Sequence, residues 1–148
     1  YEIGDQHFGI YQKSVILIFF LSADASSWTA RRYCRCEKSL SFAIRIVRLY
    51  QHLIKEKQEF VLSKQLLKSG TSVGANIREA LRGQTRLDFI AKMNISLKEI
   101  YESEYWLELL YKTDYITDKE FESIFADCRE LTKLLTSIVK TTKDNSQL

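Results

Sequence analysis

Arg45 and His52 are the pair in this sequence best placed to do chemistry. They stand seven residues apart, so two turns of a helix put them on one face. His7 is the only other histidine, and the two histidines share no metal-ligating spacing. Cys34 and Cys36 are one residue apart, too close for an unstrained bridge, and a zinc site there would need two more ligands. A total of three cysteines, with Cys128 inside a helical pattern, argues against a secreted disulfide framework and for a reducing cytoplasm. The run from Ser69 through Gly70, Thr71, Ser72 and Val73 to Gly74 has the glycines of a phosphate loop. It lacks the lysine and the strand-to-helix setting. Neither His-Glu-x-x-His nor a paired Glu-x-x-His occurs. Serine nucleophiles have only His52 to call on as a base. Glu99, Glu102, Glu104 and Glu108 read as a solvated face. The expectation is a protein without metal, cofactor or catalytic residues.

Charge is the stronger functional clue. The net charge is only +3, but residues 45–98 hold eleven basic side chains against four acidic ones, and residues 99–148 hold six against eleven. Helices from the first half therefore present a basic surface and those from the second an acidic one. Arg45, Arg48, Lys64, Lys68, Arg78 and Arg82 could follow a phosphate backbone, each neutralised phosphate releasing a counterion. Alternatively, basic helices of one copy could face acidic helices of another and set the register of an oligomer. The bland reading is that these residues solvate an exposed face.

The elements that position these groups are helices. The chain has no proline and five glycines in 148 residues, which favours long uninterrupted helices and an all-α class. Residues 39–55 are apolar nearly all round, with Ser41, Arg45, Arg48, His52 and Lys55 as one narrow polar stripe. A helix needs an apolar arc only somewhat wider than about 100° to sit on a bundle, so a second copy is expected to cover the rest. The second helix is expected over 59–82, after the turn Glu56-Lys57-Gln58. Its seam is Leu62, Leu66, Ser69, Val73, Ile77 and Ala80. Gly70 and Gly74 lie one turn apart within it, marking either close approach of a neighbour or a local bend. The third helix opens at Thr85, with Asp88 completing a capping box. The fourth opens at Thr117 with Glu120 in the same role and runs to about 142. Short connections make neighbours antiparallel, so the expected fold is an up-down four-helix bundle over 38–142 with a frayed tail at 143–148.

Residues 1–37 read differently. Lys13, the apolar run 15–21 and the small residues Ala23 and Ala25 resemble a secretory signal. Glu2 and Asp5 oppose that reading, and the run is too short to span a bilayer. With no methionine before Met93, the favoured expectation is an upstream extension outside the bundle.

Several segments together resemble a known family. LSKQLLKSGTSVGANIREA, DFIAKMNISLKEIYESEYWLELL and LLTSIVKT, preceded by SFAIRIVRLYQ, are similar in order to the four-helix bundle proteins encoded within 23S ribosomal RNA intervening sequences. The resemblance covers residues 38–142. It implies a bundle that assembles as a ring, with a homopentamer as the expected form, and kinship with the accessory variability determinant of diversity-generating retroelements. RNA and a reverse transcriptase are the partners it implies. It carries no established catalytic residues. Signature positions match at Gln65, Ser69, Thr71, Ser72, Asn76, Glu79, Glu99, Tyr105 and Trp106. By their chemistry, Ser69, Gly70, Thr71, Ser72 and Gly74 suit tight helix contact, and Asn76 and Glu79 suit interfacial hydrogen bonding. A shorter pattern, Arg45 followed by His52, resembles the active-site motif of HEPN-type ribonucleases, which are also helical bundles. Three readings stand: an oligomer that binds RNA, a pure protein-interaction module, and a ribonuclease using Arg45 and His52.

Overall fold

The structure, a computed structural model, describes residues 28–144. They form four helices: α1 (Trp28–Glu56), α2 (Leu62–Ala80), α3 (Arg86–Lys112) and α4 (Asp118–Asp144). The compact unit that contains the bundle begins at Cys36. Residues 145–148 and the signal-like run 15–21 lie outside the described residues, as does His7. No described helix is long and apolar enough to cross a membrane.

Contacts along each seam give the direction of every helix. Ser39 lies against Gly74 and Ile46 against Gly70, so α1 and α2 run oppositely. Ser96 Oγ donates to the Val73 carbonyl and Ser103 Oγ to Ser69 Oγ, each at 2.9 Å, which sets α3 antiparallel to α2. Cys128 meets the Ile100 carbonyl and Arg86 donates to that of Thr142, so α4 returns along α3. Lys38 reaches Glu130 and Arg45 reaches Asp127, closing α4 onto α1. The up-down bundle follows.

The core is built from one face of each helix. Phe42, Ile46 and Leu53 of α1, Leu66, Val73 and Ile77 of α2, Met93, Ile100 and Leu107 of α3, and Ile124, Cys128 and Leu135 of α4 are all buried. Buried Ser69, Ser96 and Ser103 let α2 and α3 approach closely, with each hydroxyl bonded to a serine or a backbone carbonyl. Both capping boxes form. Thr85 Oγ1 accepts from the Asp88 amide at 3.1 Å while Asp88 accepts from the Thr85 amide at 3.2 Å. The Thr117 amide donates to Glu120 at 2.9 Å, and the Glu120 amide donates back to Thr117 Oγ1 at 3.4 Å.

Two helix starts differ from the sequence expectation. The first helix begins at Trp28 rather than near residue 39, because nothing between Ser27 and Ser39 can break it: the segment has neither glycine nor proline. The second begins at Leu62 rather than Glu59. Gln58 takes a left-handed φ of 51°, and the buried Glu59 carboxylate turns back onto the helix end. There it accepts from the amides of Val61, Leu62 and Ser63 at 3.0, 2.8 and 2.6 Å. These are the amides a helix N-terminus leaves without intrahelical partners. Glu59 is thus a cap.

Burial by itself pushes the Glu59 carboxyl upward, but the amides of Ser63, Leu62 and Val61 outweigh it and hold the group below its ordinary value. A carboxyl depressed in the folded state stabilises fully above the unfolded pKa and stops doing so as pH falls through the folded one. Glu59→Ala is therefore expected to cost about 1–2 kcal/mol at neutral pH, the usual scale of a lost cap. In urea titrations the gap between wild type and variant should persist above the ordinary value of 4.5 and close as pH falls beneath it. A gap independent of pH would show that the ionised carboxylate is not the cap.

Candidate functional site

The six basic residues singled out by charge do not form one surface. Arg45 is turned onto α4: its guanidinium pairs with Asp127 and donates to Ser123 Oγ at 2.7 Å and the Ser123 carbonyl at 3.0 Å. It stitches α1 to α4, as does the pair Lys38–Glu130 one end further along. Half-buried His52 also leans to α4, where its charge helps hold the Glu120 carboxyl below its ordinary value, behind the larger effect of the Thr117 hydrogen bonds. The Arg45–His52 pair thus faces a neighbouring helix that already binds its arginine. Arg48 is exposed.

α2 behaves differently. Lys64, Lys68 and Arg78 lie at helical spacing on the side opposite the buried Leu66, Val73 and Ile77, and Arg82 continues the row in the turn beyond Ala80. All four are exposed, and among the described residues none is in an ion pair. Lys64 to Arg78 covers roughly 21 Å at about 1.5 Å per residue. The one acidic residue of α2, Glu79, is held by Lys92 of α3. The row is an unscreened line of positive charge.

The signature positions sort into two groups. Ser69, Gly70 and Gly74 are buried at helix contacts, and Thr71 bonds back to the Leu67 carbonyl at 2.7 Å. Gln65, Ser72, Asn76 and Glu79 instead occupy the flank of α2 that borders α3. The pairs Ser69–Ser103, Val73–Ser96 and Glu79–Lys92 set the register across the two helices. That register brings Gln65 level with Trp106, Ser72 with Glu99 and Asn76 with Ile95. Residues scattered over forty positions of chain therefore line one groove. Asn76 donates to the Ser72 carbonyl at 2.9 Å, within its own helix, while Glu79 makes the interhelical contact. Trp106 Nε1 donates to Glu102 at 3.3 Å, and Tyr105 meets the Trp106 ring edge-on at 4.9 Å.

Sequence reasoning missed Glu102, Lys92, Ile95 and Asp127 as members of these groups. Glu102 precedes Trp106 by four residues, a spacing that puts the two side chains together on any helix and could have revealed it. Asp127 is 82 residues from Arg45 and left no such signal.

Exposed apolar surface is also redistributed. Among the apolar side chains of α1 whose burial is described, only Leu40 is exposed, at 36%, and those from Ala43 to Ile54 are buried or half-buried. α3 exposes more: Leu87, Ile95, Tyr101 and Tyr105 at 78, 41, 50 and 58%.

Among the described residues, no group of three or more His, Cys, Asp or Glu could hold a metal ion. Cys36 and Cys128 are free thiols. Residues 34–137 match the family described as 23S rRNA-intervening sequence protein. The chain belongs to that family. A crystal structure of another member points the same way: a protein of unknown function from the S23 ribosomal protein family of Bacteroides thetaiotaomicron is 58% identical. It superposes with a TM-score of 0.73, over 74% of this chain and 98% of that one. No curated protein matches. The family's matched span takes in α2, α3, the basic row and the whole α2–α3 groove.

Proposed function

We propose that this family member is a non-enzymatic cytoplasmic assembly module, a ring of bundles that holds a polyanion, RNA in the first instance, along α2. The observation that carries the reading is the row Lys64, Lys68, Arg78 and Arg82, exposed and free of carboxylate partners on a rigid helix. On α1, by contrast, Lys38 and Arg45 are bound by Glu130 and Asp127 of α4, whereas the α2 row keeps its charge. A helix that presents cations at fixed intervals can track a phosphate backbone without reading bases. The family's name associates it with ribosomal RNA, and the free thiols suit a reducing compartment. The exposed apolar side chains of α3 support assembly, and five copies is the number that the family resemblance implies.

Filter-binding titrations with single-stranded RNA over a range of salt test the reading. Replacing Lys64, Lys68, Arg78 and Arg82 with glutamine should reduce the slope of log K against log salt by about 3, at roughly 0.7 per phosphate contact, and weaken binding at low salt by at least about 100-fold. Arg45→Gln, which removes a cation already bound to Asp127, should change the slope little. Equal slopes for wild type and the four-residue variant would remove the polyanion reading.

A further inference from the structure

The basic row of α2 is interrupted at its middle. Lys64 and Lys68 form one pair, a turn apart, and Arg78 and Arg82 form a second. The nine residues 69–77 between them carry no charge. Lys68 and Arg78 stand roughly 15 Å apart along the axis, at about 1.5 Å per residue. Across that interval the outward side chains are Thr71 and Ala75, with Ser72 beside them, all small and neutral. Thr71 donates its hydroxyl proton to the Leu67 carbonyl within its own helix. Neighbouring helices do not fill the gap. The flank of α1 that borders α2 there is Leu40, Ala43 and Val47, and α3 at the level of Ser72 offers Glu99. The positive charge of α2 is thus two patches with an uncharged saddle between them.

Given the polyanion reading, on which this rests, we infer that the ligand is an A-form double helix whose minor groove α2 spans. Lys64 and Lys68 lie against the phosphates of one strand, and Arg78 and Arg82 against those of the other. A single strand laid along α2 carries a phosphate at every nucleotide, so those over Thr71, Ser72 and Ala75 would meet no cation and would pass Glu99. A duplex presents its phosphates as two rails with an uncharged groove between, the same order as on the helix. The bundle decides which groove. α2 is one corner of a four-helix bundle, so its outward stripe is convex, but α1 and α3 occupy its flanks. It cannot sink into the B-form major groove, which is about 8.5 Å deep, and the B-form minor groove, about 6 Å wide, is too narrow for the interval. The A-form minor groove is wide, shallow and bordered by both strands. Small side chains at 71, 72 and 75 let the helix come down onto it, so that both pairs of cations reach phosphate together. Contacts of this kind follow shape and not base sequence.

Binding titrations of the full chain against three probes test this: a mixed-sequence RNA duplex, one of its strands free of self-pairing, and the DNA duplex of the same sequence. The RNA duplex is expected to bind at least about 10-fold more tightly than either of the others at equal salt. Lys64→Gln with Lys68→Gln, and Arg78→Gln with Arg82→Gln, should each flatten the salt slope on the RNA duplex by about 2, at roughly 0.9 per phosphate contact. Ala75→Lys puts a cation in the saddle at an exposed position, where far-UV circular dichroism should not change. It should tighten single-strand binding by at least about threefold and duplex binding less, so the preference narrows. A single strand held as tightly as the RNA duplex, or a preference that Ala75→Lys leaves intact, would overturn the two-rail ligand while the polyanion reading stands. A DNA duplex bound as well as the RNA duplex would overturn the A-form groove. Wild-type slopes on all three probes for the variant with all four cations replaced by glutamine would remove the polyanion reading too.

Discussion

Gly70→Leu should destabilise the bundle by about 3 kcal/mol, whereas Gly74→Ala, one turn away, should be neutral or stabilise it by up to about 1 kcal/mol. A Cβ at position 70 would stand 2.8 Å from Ile46 Cγ1 and 3.0 Å from its Cγ2. Those atoms are the root of a β-branched side chain that is fully buried and has essentially one rotamer open to it in a helix. Ile46 cannot swing aside, so α1 and α2 would have to part. At position 74 the nearest atom would be Ser39 Oγ at 3.4 Å, an ordinary contact, and alanine's better helix propensity then decides the sign. Gly70→Ala should fall between them, its propensity gain offset by the Ile46 overlap. Urea denaturation of the three variants checks the order. A destabilised Gly74→Ala with a tolerant Gly70→Leu would mean that a helix bend, and not the approach of α1, is what the glycines serve.

Cys128 in the folded protein should react with iodoacetamide at least about 1,000-fold more slowly than the same residue in denaturant, because reaction must wait for opening of the core. Burial pushes its thiol far up, and the nearby carboxylates of Glu104 and Asp127 push the same way, so the reactive thiolate is scarce as well as enclosed. The sulfur rests against the Ile100 carbonyl at 3.8 Å in the α3–α4 seam. Cys36 is only half-buried and should be modified first. Mass mapping of the labelled peptides at timed intervals reads both rates. Rapid labelling of Cys128 under native conditions would show that α4 separates from α3 without global unfolding.

Much of the bundle was legible because its signals are local. A capping box joins residues three apart, as with Thr85 and Asp88 or Thr117 and Glu120. A core seam is a repeat of three and four, as from Leu66 through Val73 to Ile77. Both are decided within a turn or two of one helix, before any partner arrives. The early start of α1 escaped because Trp28 to Lys38 carries many charges and little periodicity, which is the pattern by which helices are recognised. Glu59 escaped for a related reason. A glutamate ahead of an apolar run reads as a first-turn residue, and only the left-handed Gln58 makes it a cap.

The residue sequence by itself determined four helices, their inward faces, the direction forced by short turns, and the outward row of cations on α2. Tertiary structure decided which charges are spent: Arg45 and Lys64 look alike along the chain, yet one is bound by Asp127 and the other is open. It also decided which glycine is obligatory, and that Gln65, Ser72 and Asn76 share a groove with Trp106, Glu99 and Ile95. Helical periodicity gives each side chain an angle about its own axis. The rotation and register of one helix against another come only from packing, and every property that joins two helices depends on them.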